Sequence, residues 1–117
     1  MLDTQVSPID SLAKAARLIV REGYVALDHD NRPFQWSPSS PQAMRVLPDA
    51  VDVMNVQNGS TYGGQWLNSA EITHQIITSG FVALRSDRSI IGWASTQEIA
   101  ATFRGTYEIA DLRALGL

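Results

Sequence analysis

One supersecondary unit is written twice in this chain. Residues 23–39 read GYVALDHDNRPFQWSPS and residues 80–96 read GFVALRSDRSIIGWAST, and the two align without a gap at a spacing of 57 (80 − 23). The same spacing pairs Ala13 with Ala70, Ile19 with Ile76, Trp36 with Trp93 and Ala43 with Ala100. With a shift of one residue, VDVMNV (51–56) also matches YEIADL (107–112). Identities held in register over such a span mark a duplication. Half of a chain of 117 residues is too small to close a core comfortably by itself, so the halves are expected to pack together.

Each half opens with a helical pattern. In the first, Leu12, Ala15, Ala16, Ile19 and Val20 recur on one face while Lys14, Arg17 and Arg21 face away. Asp10 or Ser11 is placed to cap its start, and Gly23 to end it. In the second, the stripe is Ile72, Ile76 and Ile77, with Asn68 as cap and Gly80 as stop. Two β-rich runs follow in each half, YVAL and PFQW, then FVAL and IIGW, joined by the polar turns DHDNR and RSDRS. A second helix is expected after each hairpin. Ser95 and Glu98 have the S-x-x-E spacing of a capping box, and Ser37 before Pro38, or Ser40 before Pro41, gives a cap followed by proline. VDVMNV and YEIADL alternate as strands do, with a short helix as the other option. The fold class predicted is α+β: two repeated α-β-β-α units with extended flanks, residues 1–57 and 58–117, packed about a pseudo-twofold axis in one compact module.

Composition narrows the function. Apolar residues make up 44% of the chain and charged residues 18%, which is ordinary for a folded domain. Nine basic against twelve acidic residues leave a formal charge of −3, which disfavours nucleic acid as a partner. The absence of cysteine excludes disulfides, thiolate nucleophiles and cysteine-ligated zinc. MLDTQVSPIDSLAK has no basic segment followed by an apolar one, and no apolar run approaches the ~20 residues of a membrane span. A cytoplasmic protein without a membrane partner is expected.

The order of elements resembles a tandem pair of cystathionine-β-synthase (CBS) domains, or Bateman module. VSPIDSLAKAARLI (6–19) and YVALDHDNRPFQW (24–36) match one repeat of that family; NSAEITHQII (68–77) and FVALRSDRSIIGWASTQEI (81–99) match the other. AVDVMNV (50–56) looks like the flank between repeats. The match departs from the family pattern in three ways. The step from first helix to hairpin is short, the family's proline before the first strand is missing, and QNGSTYGGQW (57–66) is rich in glycine.

What the resemblance implies is a stand-alone regulatory module that is not an enzyme. It would bind an adenosyl ligand of the AMP, ATP or S-adenosylmethionine class between the repeats, form a homodimer and modulate an effector protein. The family's Gly, Ser/Thr and Asp positions map onto Gly92, Ser95 and Glu98 in the second half, and onto Gln35, Pro38 and Pro41 in the first. Ser95 and Glu98 would then face phosphate and ribose, Phe81 and Ala83 the base, and Thr61 or Tyr62 would close the cleft. Arg85 would approach phosphate from the hairpin turn, with Arg88 beside it.

Plainer readings accompany each of these. Ser95 and Glu98 need only cap a helix; Trp36 and Trp93 suit the core or the contact between repeats; Arg85 and Arg88 suit a solvated turn. STYGGQW lacks the lysine of a phosphate-binding loop and reads as a linker between repeats. His29 and His74 have no partner at triad or metal spacing, and Asp28-His29-Asp30 reads as a polar turn. Two further functions follow: a degenerate CBS-like scaffold that acts in protein association with no nucleotide, and a two-winged DNA binder using Lys14, Arg17 and Arg21. The acidic total and the non-basic second helix weigh against the DNA binder.

Overall fold

The computed structural model describes residues 8–39 and 49–117. In chain order the elements are α1 (Pro8–Ile19), β1 (Tyr24–Leu27), β2 (Pro33–Ser37), β3 (Asp52–Asn55), α2 (Ser69–Ile77), β4 (Phe81–Leu84), β5 (Ile90–Ala94), α3 (Gln97–Ala101) and β6 (Glu108–Asp111), followed by a 3-10 turn at Leu112–Leu115. The chain is thus α+β, and its strands form a single antiparallel sheet in the order β3-β1-β2-β5-β4-β6. Read from either edge, the order within each half is third, first, second.

The register repeats along with the order. Val25 lies opposite Trp36, as Val82 lies opposite Trp93. Pairing slips between Ala26 and Leu27, and again between Ala83 and Leu84, leaving Phe34 and Ile91 as the extra residues. Tyr24 pairs with Asn55 and Phe81 with Asp111, which reproduces the one-residue shift seen in the sequence. The flanks VDVMNV and YEIADL are therefore strands. The halves meet where Gln35 pairs with Ala94 and Trp36 with Trp93.

Two faces result from strand alternation. One carries Val25, Leu27, Trp36, Met54, Val82, Leu84 and Trp93, and packs against Leu12, Ala15 and Ile19 of α1 and Ile72 and Ile76 of α2. The other carries Ala83, Ala94 and Phe81 beneath Ala100, Ile99 and Phe103 in the second half. Its first-half counterpart joins Ala26 and Val53 to Tyr24, Phe34 and Ala50. Ser37 is the last residue of β2, and residues 38–39 form a bend, so no helix begins at Pro38. The alternative start at Ser40 and Pro41 lies outside the described residues.

Local corrections have local causes. α1 starts at Pro8, ahead of the expected caps, so Asp10 sits in its first turn and Ser11 is buried within it. Proline suits the first helical position because its missing N–H would be unpaired there anyway. The helix ends at Ile19, and Val20 is 45% exposed rather than part of the apolar face. Asn68 caps α2 as expected, its side chain accepting from the Glu71 amide. Gly23 and Gly80 follow the helices with φ of +104° and +80°. A Cβ at either would stand 2.5 Å from the indole nitrogen of Trp36 or Trp93.

Candidate functional site

Two of the residues expected to surround an adenosyl ligand, Gly92 and Ser95, sit on a seam closed by backbone pairing. The Ser95 amide donates to the Phe34 carbonyl at 3.0 Å, which carries the β2–β5 ladder one step past Ala94. Ser95 therefore lies outside the helix, and the helix start moves to Thr96 (φ −127°, ψ 153°), whose hydroxyl accepts from the Ile99 amide at 3.3 Å. The Ser95/Glu98 capping box does not form; Thr96 does the capping. Ser95 and Glu98 are both exposed beside it. Gly92 lies against the other half, and a Cβ there would come within 2.8 Å of the Trp36 carbonyl oxygen.

The remaining residues are dispersed. Ala83 is fully buried under α3, and Phe81 is half-buried in the same cluster. Arg85 is exposed, and its guanidinium donates to the Ser89 hydroxyl at 3.2 Å and the Ile90 carbonyl at 3.1 Å, bracing its own turn. Thr61 and Tyr62 lie beyond the β3 edge. From β5 to that position is four inter-strand steps, about 19 Å at ~4.8 Å each. Within one chain they are not placed to close over Ser95 and Glu98.

The segment after β3 holds more organisation than a linker needs. Thr61 bridges to Met54 and Trp66 to Ser60, so the chain turns back along the edge of β3. The amides of Asn55, Thr61 and Leu67 donate to the carbonyls of Ser60, Gln65 and Gly59 at 2.8–3.0 Å. At the centre is Asp52, 8% exposed. Its carboxylate accepts from the amides of Val53 (2.9 Å) and Gly63 (2.8 Å) and from Gln65 Nε2 (3.1 Å). Burial pushes this carboxyl up, but the hydrogen bonds from the Thr61 side chain, Gly63, Gln65 and Val53 outweigh it, and the group ends below its ordinary value. The Gln65 amide also exchanges hydrogen bonds with Asn31 in the β1–β2 turn at 3.1 and 3.3 Å.

This frame holds apolar side chains in solvent. Trp66 is 77% exposed, Val51 66% and Tyr62 53%. Tyr62 stands between two hollows. One, of about 290 Å³, has Val51, Asp52 and Gly63 in its walls. The other, of about 140 Å³, has Tyr24, Asn55 and Thr61. STYGGQW reads locally as a linker, and nothing in its spacing marks Trp66. The usable signal was an aromatic pair inside a segment whose Thr, Gly and Gln residues satisfy one buried Asp.

Among the described residues no group of three or more His, Asp or Glu side chains is placed to hold a metal ion, and no helix is long and apolar enough to cross a membrane. No protein-family model matches the chain, and neither a curated protein nor a solved structure is significantly similar to it.

Proposed function

We propose that this chain is a non-catalytic association module, a degenerate relative of the CBS pair that works through protein contact. The observation that carries the reading is Trp66, largely exposed on a segment pinned by the Asp52 hydrogen bonds, with Tyr62 and Val51 alongside. Exposed aromatics on a rigid frame bury large area at little entropic cost, and Trp and Tyr dominate the energetics of protein interfaces. The hollows flanking Tyr62 offer recesses for a partner's side chains. Under the CBS resemblance the first partner is a second copy, giving a homodimer. An effector protein is the other partner that the resemblance implies.

Sedimentation velocity across a concentration series tests this. The expected result is a dimer that a Tyr62→Ala/Trp66→Ala variant converts to monomer with its far-UV spectrum unchanged. A wild-type chain that stays monomeric at every concentration would remove the self-association reading.

The adenosyl-ligand reading is tested on the same samples by thermal shift with AMP, ATP and S-adenosylmethionine. A ligand present at 100 times its Kd stabilises the fold by roughly 2.7 kcal/mol. The seam pairing at Ser95 leads us to expect no shift with S-adenosylmethionine, which has no phosphate. A shift with it would return the function to nucleotide-type sensing.

A further inference from the structure

Two hollows occupy equivalent places in the two halves. One, of about 530 Å³, separates α1 and the residues after it from the β4–β5 turn; Ser11, Lys14, Arg17, Arg21, Asp87 and Arg88 are in its walls. The other, of about 350 Å³, separates α2 from the β1–β2 turn, with Asp30, Asn31, Arg32, Asn68 and Glu71. At the 57-residue spacing Ser11 corresponds to Asn68, Lys14 to Glu71, Asp87 to Asp30 and Arg88 to Asn31. The counterparts of Arg17 and Arg21 are His74 and Thr78. The framework is common, yet the charges are opposed: four cations and one carboxylate in the first hollow, one cation and two carboxylates in the second.

Packing does not account for this gathering of charge. Four of the nine basic residues of a chain with net charge −3 meet at one groove. Lys14, Arg17 and Arg21 are exposed, and among the described residues none of them forms an ion pair. Lys14 and Arg17, three apart on α1, repel, and Arg21 just past the helix end adds to the positive charge, so the arrangement costs stability unless an anion offsets it. The one carboxylate, Asp87, accepts from the Ser89 amide and hydroxyl at 3.0 and 2.6 Å within its own turn. A second observation is independent of charge. Ser11 is 4% exposed, and among the described residues its hydroxyl has no hydrogen-bond partner although it lines this same groove.

We propose that the α1/β4–β5 groove binds a small phosphorylated molecule carrying at least two negative charges. The guanidinium groups of Arg17, Arg21 and Arg88 match phosphate oxygens in fork geometry, and Lys14 adds a point charge. Ser11 supplies a hydroxyl from the floor. Leu18 and Ile90, also in the walls, receive the apolar part of the ligand. The volume is that of a small-molecule site rather than of a bare ion.

Titration calorimetry of the intact chain with inorganic pyrophosphate tests the site. The expected result is saturable 1:1 binding that weakens with added salt. A Lys14→Gln/Arg17→Gln variant should bind at least tenfold more weakly, and an Asp30→Asn/Glu71→Gln variant in the equivalent hollow should bind as the wild type does. All four replacements are at exposed positions, and a cooperative melting transition without ligand establishes that each variant folds. No binding of pyrophosphate at millimolar concentration overturns the proposal, and so does equal affinity in the Lys14/Arg17 variant. Binding of duplex RNA without any response to pyrophosphate would assign the groove to a nucleic-acid backbone instead. None of these outcomes depends on Tyr62 or Trp66, so the groove and the association surface stand or fall separately.

Discussion

Trp36 and Trp93 lie directly opposite one another where β2 meets β5, and each indole N–H donates to a backbone carbonyl of its own half: Glu22 at 3.0 Å and Ser79 at 2.9 Å. Glu22 and Ser79 are themselves 57 residues apart, as are the two tryptophans (79 − 22, 93 − 36). The pair fastens each hairpin to the end of its preceding helix and joins the halves at one point. Trp36→Phe and Trp93→Phe each lose a part-buried hydrogen bond and leave unfilled volume, with an expected loss of about 2–3 kcal/mol in chemical denaturation. Because the two are register partners, a double-mutant cycle should give a coupling of at least ~0.5 kcal/mol. A coupling of zero would show that the seam does not transmit between the halves.

The glycines before β1 and β4 are held by both sign and space. Alanine at Gly23 or Gly80 would adopt positive φ and drive its Cβ into an indole. The expected loss is roughly 2–4 kcal/mol at either site. Gly64 separates the two effects, having φ +92° with nothing within 4 Å of a Cβ. Gly64→Ala should therefore cost only about 1–2 kcal/mol, from backbone strain. Melting curves of the three variants give the comparison.

Asp52 makes the edge of β3 sensitive to acid. Its folded-state pKa lies below the unfolded value, so its contribution is fully present above the unfolded carboxyl range and is lost as pH falls through the folded value. Asp52→Asn should lower stability at neutral pH by about 1–3 kcal/mol, the cost of poorly matched buried hydrogen bonds. The gap between variant and wild type should narrow below about pH 4. Urea titrations at neutral and acid pH check this, and a gap independent of pH would assign the effect to packing.

Capping separates two adjacent residues at the start of α3. Thr96→Ala removes the hydroxyl that accepts from Ile99 and should cost ~1 kcal/mol. Ser95→Ala leaves its backbone pairing with Phe34 intact and should stay within about 0.5 kcal/mol of wild type. The reverse ranking would restore the Ser95/Glu98 box.

Separated halves should not fold. α1 lies beside the β4–β5 turn and α2 beside the β1–β2 turn, so each helix faces the hairpin of the other half. Residues 1–57 alone should show no cooperative thermal transition by circular dichroism. A sharp transition would mean that one hairpin and one helix suffice for a core.

The repeat, the hairpins, the glycine stops and the paired tryptophans could all be read from the chain. Periodicity and φ preference are local properties, and YVAL/FVAL with Gly23/Gly80 express them fully. The one-residue shift between VDVMNV and YEIADL likewise reappears as the offset between the Asn55 and Asp111 pairings. Long-range hydrogen bonding decided the rest. Whether Ser95 opened a cleft depended on the Phe34 carbonyl, 61 residues earlier (95 − 34), and backbone pairing there moved the cap to Thr96. Asp52 drew STYGGQW into an ordered edge because a buried carboxylate must find donors, and no local pattern states which donors it finds. The meeting of Lys14, Arg17 and Arg21 with Arg88 is of the same kind. The sequence placed those cations on a polar helix face and in a turn, and only the interlocking of the halves set them around one groove.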